Sequence, residues 1–415
     1  MLNVIELFAG VGGFRLGLEA TKGFEVVWGN QWEPSKKAQD AFNCYANRFK
    51  ENGIHSNEDI MTVDEKLLSG LNANVIVGGF PCQDYSVARS LSGEKGIQGK
   101  KGVLFWEIIR IATEVKPKYI LLENVDRLLK SPSKQRGRDF SIMLASFRDL
   151  GYSVEWRVIN AAEYGQAQRR RRIFIFAVRN DIQFMQKREH IDDATMLQKE
   201  GFFAKAFPVW DNEESKKIIE FSLADDLVEI SDEFSKNYYN SGIMRGNRVY
   251  SEELIPKLET AITLGEILQS NVDEKYYLNE NAIEKFKYLK GAKKIERTAA
   301  NGHKYIFSEG GMAFPETLNK PGRTMLTSEG TVNRSTHVVA DSVTNRLRIL
   351  TPVECERLNG FPDNWTDTMS DRMRYFCMGN ALVVGLIERM GKRILEIEKE
   401  DNEAIQEQPL QMSLF

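Results

Sequence analysis

The chain has 415 residues, 42% of them hydrophobic and 28% charged, with a formal net charge of -3 at pH 7. This is the composition of an ordinary globular protein too long for a single core, so two or more domains are expected. No apolar run approaches the ~20 residues of a membrane span and the N-terminus does not read as a signal peptide, which points to a cytoplasmic protein with no membrane partner.

In chain order, the first predicted strand is Val4, Ile5, Glu6 and Leu7, followed by a glycine turn from Phe8 to Gly13 and a helix opening at Arg15. Strand, glycine loop and helix in succession describe a nucleotide-binding α/β unit. The turn is not the dinucleotide fingerprint, because G-x-G-x-x-G would need glycine at Arg15, so it is compatible with an adenosyl cofactor lacking phosphates. A second strand over 26–30 ends at Gln31, Trp32 and Glu33, where a carboxylate can hold ribose hydroxyls and an indole can stack on adenine. A helix over 35–49 follows, then Asp59 and Ile60. The ordinary structural alternatives are a core aromatic for Trp32 and a cap for Asp59.

The apolar run 74–78 leads into Gly79, Phe80, Pro81, Cys82 and Gln83, which sets a cysteine just past the end of a buried strand. That is where an open α/β sheet keeps its chemistry. A buried structural thiol is the commoner fate of a free cysteine, but the glycine-rich polar stretch 92–102 describes a loop that leaves the thiol reachable. The run 118–122 delivers Glu123, Asn124 and Val125 in the same manner, so a nucleophile and a carboxyl group can meet at one sheet edge. Further strands are expected at 153–158 and 172–178, and the first 180 residues read as one doubly wound sheet. Arg169, Arg170, Arg171 and Arg172 stand directly before the last of these strands. Because strand side chains alternate between faces, some of these guanidiniums must point inward and need partners.

The net charge gives no general attraction to a polyanion, so nucleic acid would have to meet local patches such as Lys95, Lys100, Lys101, Lys130, Lys134, Arg136 and Arg138. Solvated faces are the alternative for these. The four cysteines (Cys44, Cys82, Cys355, Cys377) and four histidines are dispersed, so neither a disulfide framework nor a metal site is indicated.

Seven blocks then occur in order: F-x-G-x-G-G at 8–13, G-F-P-C-Q at 79–83, G-x-L-F at 102–105, E-N-V at 123–125, Q-R-R-x-R at 168–172, R-x-L-T-P-x-E-C-x-R-L-x-G-F-P at 348–362 and G-N-A at 379–381. With these blocks the chain resembles bacterial DNA cytosine-5 methyltransferases of the restriction-modification type. The resemblance implies an α/β, Rossmann-like doubly wound sheet, S-adenosylmethionine as cofactor, and a second, smaller target-recognition domain. It implies Cys82 as the thiolate that adds to C6 of cytosine, Glu123 as a protonated donor at N3, and Arg172, with Arg170 behind it, at O2.

The cofactor is expected among Phe8, Gly10, Gly12, Gly13, Trp32, Asp59, Ile60, Pro81, Leu104 and Asn380. The family has an acidic residue where Gln31 stands, so Gln31 or its neighbour Glu33 would meet the ribose. The target base must be flipped from duplex DNA, and the loop 83–102 is the candidate to close over it. Residues 1–180, completed by 373–400, are expected as the catalytic and cofactor domain, residues 181–372 as the target-recognition domain and hinge, and residues 401–415 as a tail. Gln411 to Phe415 resembles the short peptide with which bacterial proteins bind the replication sliding clamp. A monomer accompanied by cognate restriction or defence proteins completes the expectation. The rivals are an RNA cytosine-5 methyltransferase of the same fold and a catalytically silent DNA-binding partner. A zinc deaminase is excluded, because P-C-x-x-C would need cysteine at Tyr85.

Overall fold

The computed structural model describes residues 1–34, 36–80, 104–210, 217–298 and 302–407. Cys82, Pro81, the loop 83–102 and the tail 411–415 lie outside the described residues.

Ten strands among the described residues form one sheet: β1 (Leu2–Leu7), β2 (Phe24–Asn30), β3 (Ile54–Ser56), β4 (Val75–Gly79), β5 (Tyr119–Asn124), β6 (Tyr152–Asn160), β7 (Arg171–Arg179), β8 (Ile218–Ser222), β9 (Ser241–Arg245) and β10 (Arg248–Glu252). Their order is β3-β2-β1-β4-β5-β7-β6-β9-β10-β8. The first five are parallel and the rest antiparallel. Strand order reverses between β1 and β4, the switch point outside which open α/β sheets bind ligands.

The inner strands β1, β4 and β5 are largely apolar because both faces are covered. Ile5, Leu7, Ile76, Ile120 and Leu122 pack with the helices Leu104–Val115 and Arg138–Asp149. Their alternates Val4, Val75, Val77, Tyr119 and Leu121 pack with the helices Gly13–Glu19 and Val384–Glu407. The last helix runs on to Glu407, so residues 401–407, expected as the start of the tail, are helical, and Lys118 holds this end through Glu398 at 2.9 Å and Asp401 at 3.0 Å. No helix among the described residues is long and apolar enough to cross a membrane.

Two further expectations differ from the structure. The helix drawn over 35–49 is Asp40–Arg48. Gln39 pairs with Glu33 through both main-chain groups, at 2.8 and 2.9 Å, and holds the preceding segment out of the helix. The sheet also does not end near residue 180. β9 pairs with β6, and β10 and β8 extend it further. β6 is buried almost end to end and needs a neighbour on each edge. Gly242 supplies the room, since a Cβ there would stand 2.0 Å from the Trp156 ring.

The rest of the insert holds the helix Glu280–Lys290, a separate ribbon of β11 (Lys293–Thr298) and β12 (Lys304–Glu309), and the short pair β13 (Val338–Ala340) and β14 (Leu347–Ile349). A third apolar cluster, with Val11, Leu264, Met325, Leu358, Phe361 and Met378, packs this part against the glycine turn.

Candidate active site

Parallel pairing brings the carboxyl ends of β1, β2, β4 and β5 to one edge, with Gly79 directly opposite Glu123. β7 runs antiparallel to β5 and pairs Glu123 with Phe174. Arg172, one pleat back on the same face, is therefore the diagonal neighbour of Glu123. Its Nε lies 2.9 Å from Glu123 Oε1. Oε1 is buried beside this guanidinium. Burial raises the Glu123 pKa above the ordinary carboxyl range, and the charges of Arg172 and Arg170 only partly oppose the rise. Gly79 fits the same geometry, because a Cβ there would sit 3.3 Å from Glu123 Oε2 and press on the carboxyl group.

The arginine run divides as strand alternation requires. Arg171 points outward to Asp126 at 2.9 Å. Arg170 is buried and donates to the carbonyls of Met325, Gly379 and Asn380 at 3.2, 3.0 and 3.1 Å. Its Nε, also buried, is unpartnered. Arg170 thus joins the strand that carries Arg172 to the segment containing Asn380, and burial presses against its charged form.

On the glycine-turn side, Phe8 has a left-handed backbone with φ of 55°, uncommon for a bulky residue and a mark of a constrained site. The Gly10 N–H donates to Gln31 Oε1 at 2.8 Å, so Gln31 braces the turn. Gly12, with φ of 88°, has no room for a side chain, because a Cβ would meet the Phe49 ring at 2.4 Å. Gly13 opens the helix behind it. Trp32 is 38% exposed at the sheet edge, so it is not a core aromatic. Both carboxylate oxygens of Glu33 are engaged, one by Lys36 at 2.8 Å and one by the Ala41 N–H at 3.3 Å in the first turn of the next helix.

Asp59 caps the short helix Ile60–Thr62 through the Met61 N–H at 3.1 Å, and Ile60 is buried beneath. Leu104 and Phe8 pack against that same cluster. Asn380 ends the helix Asp371–Asn380 with its side chain exposed.

The structure gives roles to residues that the sequence reading left without one. Asn124 Nδ2 donates to the Phe80 carbonyl at 3.0 Å and so fixes the end of the strand that leads to Cys82. Gln168 accepts from the Met325 N–H at 3.0 Å and donates to Asn359 Oδ1 at 2.7 Å, and Asn359 donates in turn to the Met378 carbonyl at 2.9 Å. All three stand inside the ordered blocks, and that was their only signal in the sequence.

A sheet with its switch point at the glycine turn, and a carboxyl–guanidinium pair at the ends of β5 and β7, define a Rossmann-like methyltransferase fold. Solved structures with this fold include a variant of DNMT2 from Spodoptera frugiperda (TM-score 0.60, 15% identity, 95% of this chain and 100% of that one). Another is a putative DNA modification methyltransferase encoded within an E. coli prophage (TM-score 0.56, 16% identity, 96% of this chain and 100% of that one).

The family of C-5 cytosine-specific DNA methylases matches residues 2–396, and the chain belongs to it. It is 57% identical over 404 residues to the Type II methyltransferase M.Sau3AI of Staphylococcus aureus, covering 97% of both chains. It is 27% identical to M.SsoII of Shigella sonnei over 95% of this chain and 80% of that one. The protein is a DNA (cytosine-5-)-methyltransferase of the restriction-modification type, as the sequence resemblance implies.

Proposed function

We propose that the chain methylates C5 of a cytosine swung out of duplex DNA at one short sequence, through a covalent bond between Cys82 Sγ and C6 of the base. The observation that best supports this is the buried Glu123 carboxyl oxygen held 2.9 Å from Arg172 Nε, at the sheet edge toward which β4 carries Cys82. Addition of the thiolate to C6 makes C5 nucleophilic and develops negative charge at N3 and O2. Glu123, favoured in its protonated form by burial, donates to N3. Arg172 holds O2 with a fixed guanidinium. Arg170 is a positioning residue, because its bonds fix the strand of Arg172 against the segment of Asn380. After C5 gains a methyl group, its proton leaves to a base, the C6–Sγ bond breaks and Cys82 is regenerated. The base reaches these groups only outside the helical stack.

The residues at the glycine turn fit S-adenosylmethionine, which supplies the electrophilic methyl group. No cation stands within 8–14, the Cβ position of Gly10 faces open space, and the Trp32 indole is exposed. Phe8, Gly10, Gly12, Gly13, Trp32, Asp59, Ile60, Pro81, Leu104 and Asn380 would line the site. Gln31 would meet the ribose, since Glu33 is already committed to Lys36 and Ala41.

Within this reading, the part of the insert beyond the shared sheet selects the target, a companion nuclease or defence protein accompanies the enzyme, and the Gln411 to Phe415 tail binds a sliding clamp. Failure of a peptide of that tail to bind a bacterial clamp would remove the last assignment.

The central test is transfer of labelled methyl from S-adenosylmethionine to mixed-sequence duplex DNA, with the product mapped by sequencing. The expected result is label on C5 of cytosine in one motif, none with Cys82→Ser, and a rate lower by about 10²- to 10⁴-fold with Glu123→Gln. Transfer to RNA alone would establish the RNA methyltransferase instead, and DNA binding without transfer the silent partner.

A further inference from the structure

After the helix Glu280–Lys290, β11 and β12 form a ribbon that pairs with no other strand among the described residues. It is exposed on both faces: Ile295 is 37%, Tyr305 42% and Ile306 69% exposed. A lone hairpin is marginal in water, so its root must be held and its faces suit a partner.

The root is held by Arg334. It donates to the carbonyls of Leu289 and Gly291 at 2.7 and 3.3 Å before β11 and to that of Gly310 after β12, and it faces Glu309 at 3.4 Å. Below, Lys290 and Arg323 share the Glu316 carboxylate, at 3.2 and 2.7 Å. The segment of Arg323 is bonded in turn to the arginine run, through Arg169 N–H to the Gly322 carbonyl at 2.8 Å and Arg170 to Met325. The ribbon is therefore fastened by a continuous set of bonds to the strand that bears Arg172.

Charge favours a polyanion on this ribbon. Of its two carboxylates, Glu296 is paired with Lys304 at 3.0 Å, and Glu309 lies 3.9 Å from Lys293 besides facing Arg334. Lys294 and Arg297 have no carboxylate partner among the described residues. The Arg297 guanidinium lies over the Phe307 ring, 3.9 Å from its centre, with Tyr305 directly across on the same face. A guanidinium held flat by a ring suits bidentate contact with guanine. On the opposite face Ile306 offers the apolar contact that a thymine methyl group takes.

Resting on the reading of the chain as a DNA cytosine methyltransferase, we infer that the β11–β12 ribbon enters the major groove of duplex DNA and that Arg297 and Ile306 read bases beside the methylated cytosine. The major groove, about 12 Å wide, admits a two-stranded ribbon and presents each base pair distinctly, whereas the minor groove, about 6 Å wide, separates little beyond A·T from G·C. Arg334 is the positioning residue that sets the ribbon's angle.

The test uses the full chain carrying Arg297→Ala or Ile306→Ala, both at exposed positions, with melting temperature as the check on folding. Each variant methylates a mixed-sequence duplex, and methylated cytosines are mapped. Arg297→Ala is expected to lower kcat/KM on the native target by about 10- to 100-fold and to relax the motif at one base. Ile306→Ala is expected to relax a different base. An unchanged motif with unchanged selectivity in both variants overturns the assignment. So does an equal loss on every sequence, which would make the ribbon a contact to backbone phosphates only. Absence of any transfer by the unaltered chain would instead remove the functional reading, and the ribbon assignment with it.

Discussion

Glu6 shows how one side chain couples the cofactor side of the sheet to pH. It lies one residue before the end of β1, fully buried, and accepts from the Tyr45 hydroxyl at 3.0 Å and the Arg15 N–H at 3.3 Å. Burial outweighs these bonds and the Arg15 charge, and pushes its pKa up to about 8. Between the ordinary carboxyl pKa of 4.5 and that value the folded chain holds a proton that the unfolded chain has released. The contribution to stability is therefore full below pH 4.5 and is lost as pH rises toward 8, by at most about 1.4 kcal/mol per pH unit. Urea midpoints between pH 5.5 and 7.5 should fall less steeply for Glu6→Gln than for the native chain, and equal slopes would refute the assignment. At the reacting edge, Gly79→Ala presses on Glu123 and should lower methyl transfer on the order of 10-fold, with little change in melting temperature.

At the level of elements, the C-terminal helix completes a layer begun by the first helix. Leu386, Ile387, Met390, Ile394 and Ile397 present one face to Phe14, Leu18 and Phe24. The close approach depends on Gly17, where a Cβ would stand 2.7 Å from that of Ile387. Gly17→Ala gains up to about 1 kcal/mol of helix propensity but incurs an overpacking cost of about 1–3 kcal/mol. A net fall in melting temperature is expected. A rise would mean that the helices separate without cost. The blocks around 168–172, 348–362 and 379–381 read in the sequence as separate matches. In space they are one hydrogen-bonded unit, with Gln168, Asn359 and Arg170 at its centre.

For the whole molecule, the insert is not an appendage. β8, β9 and β10 belong to the central sheet, and the last helix covers its opposite face. A fragment ending at residue 180 would leave the edge of β6 unpaired and Phe14 and Leu18 exposed to water. It should aggregate or show poor amide protection where the full chain is protected. A stable, soluble 1–180 fragment would show instead that the strands after 180 only decorate the sheet.

Local order sets what the sequence determined by itself. The continuous apolar runs, the glycine turn and the strand-end positions of Glu123 and Phe80 were legible, because each depends on a few adjacent residues and on burial of both sheet faces. The seven blocks carried the family. The start of the helix at Asp40 was not legible, since it depends on the side chain of Gln39 standing in for a backbone partner. Nor was the sharing of strands across residue 180, which depends on which edge β6 exposes, or the commitment of Arg170 to three distant carbonyls. Those are contacts between segments far apart in the chain. Only the tertiary structure decided them, because a hydrogen-bond donor carries no mark in the sequence of the acceptor it will meet.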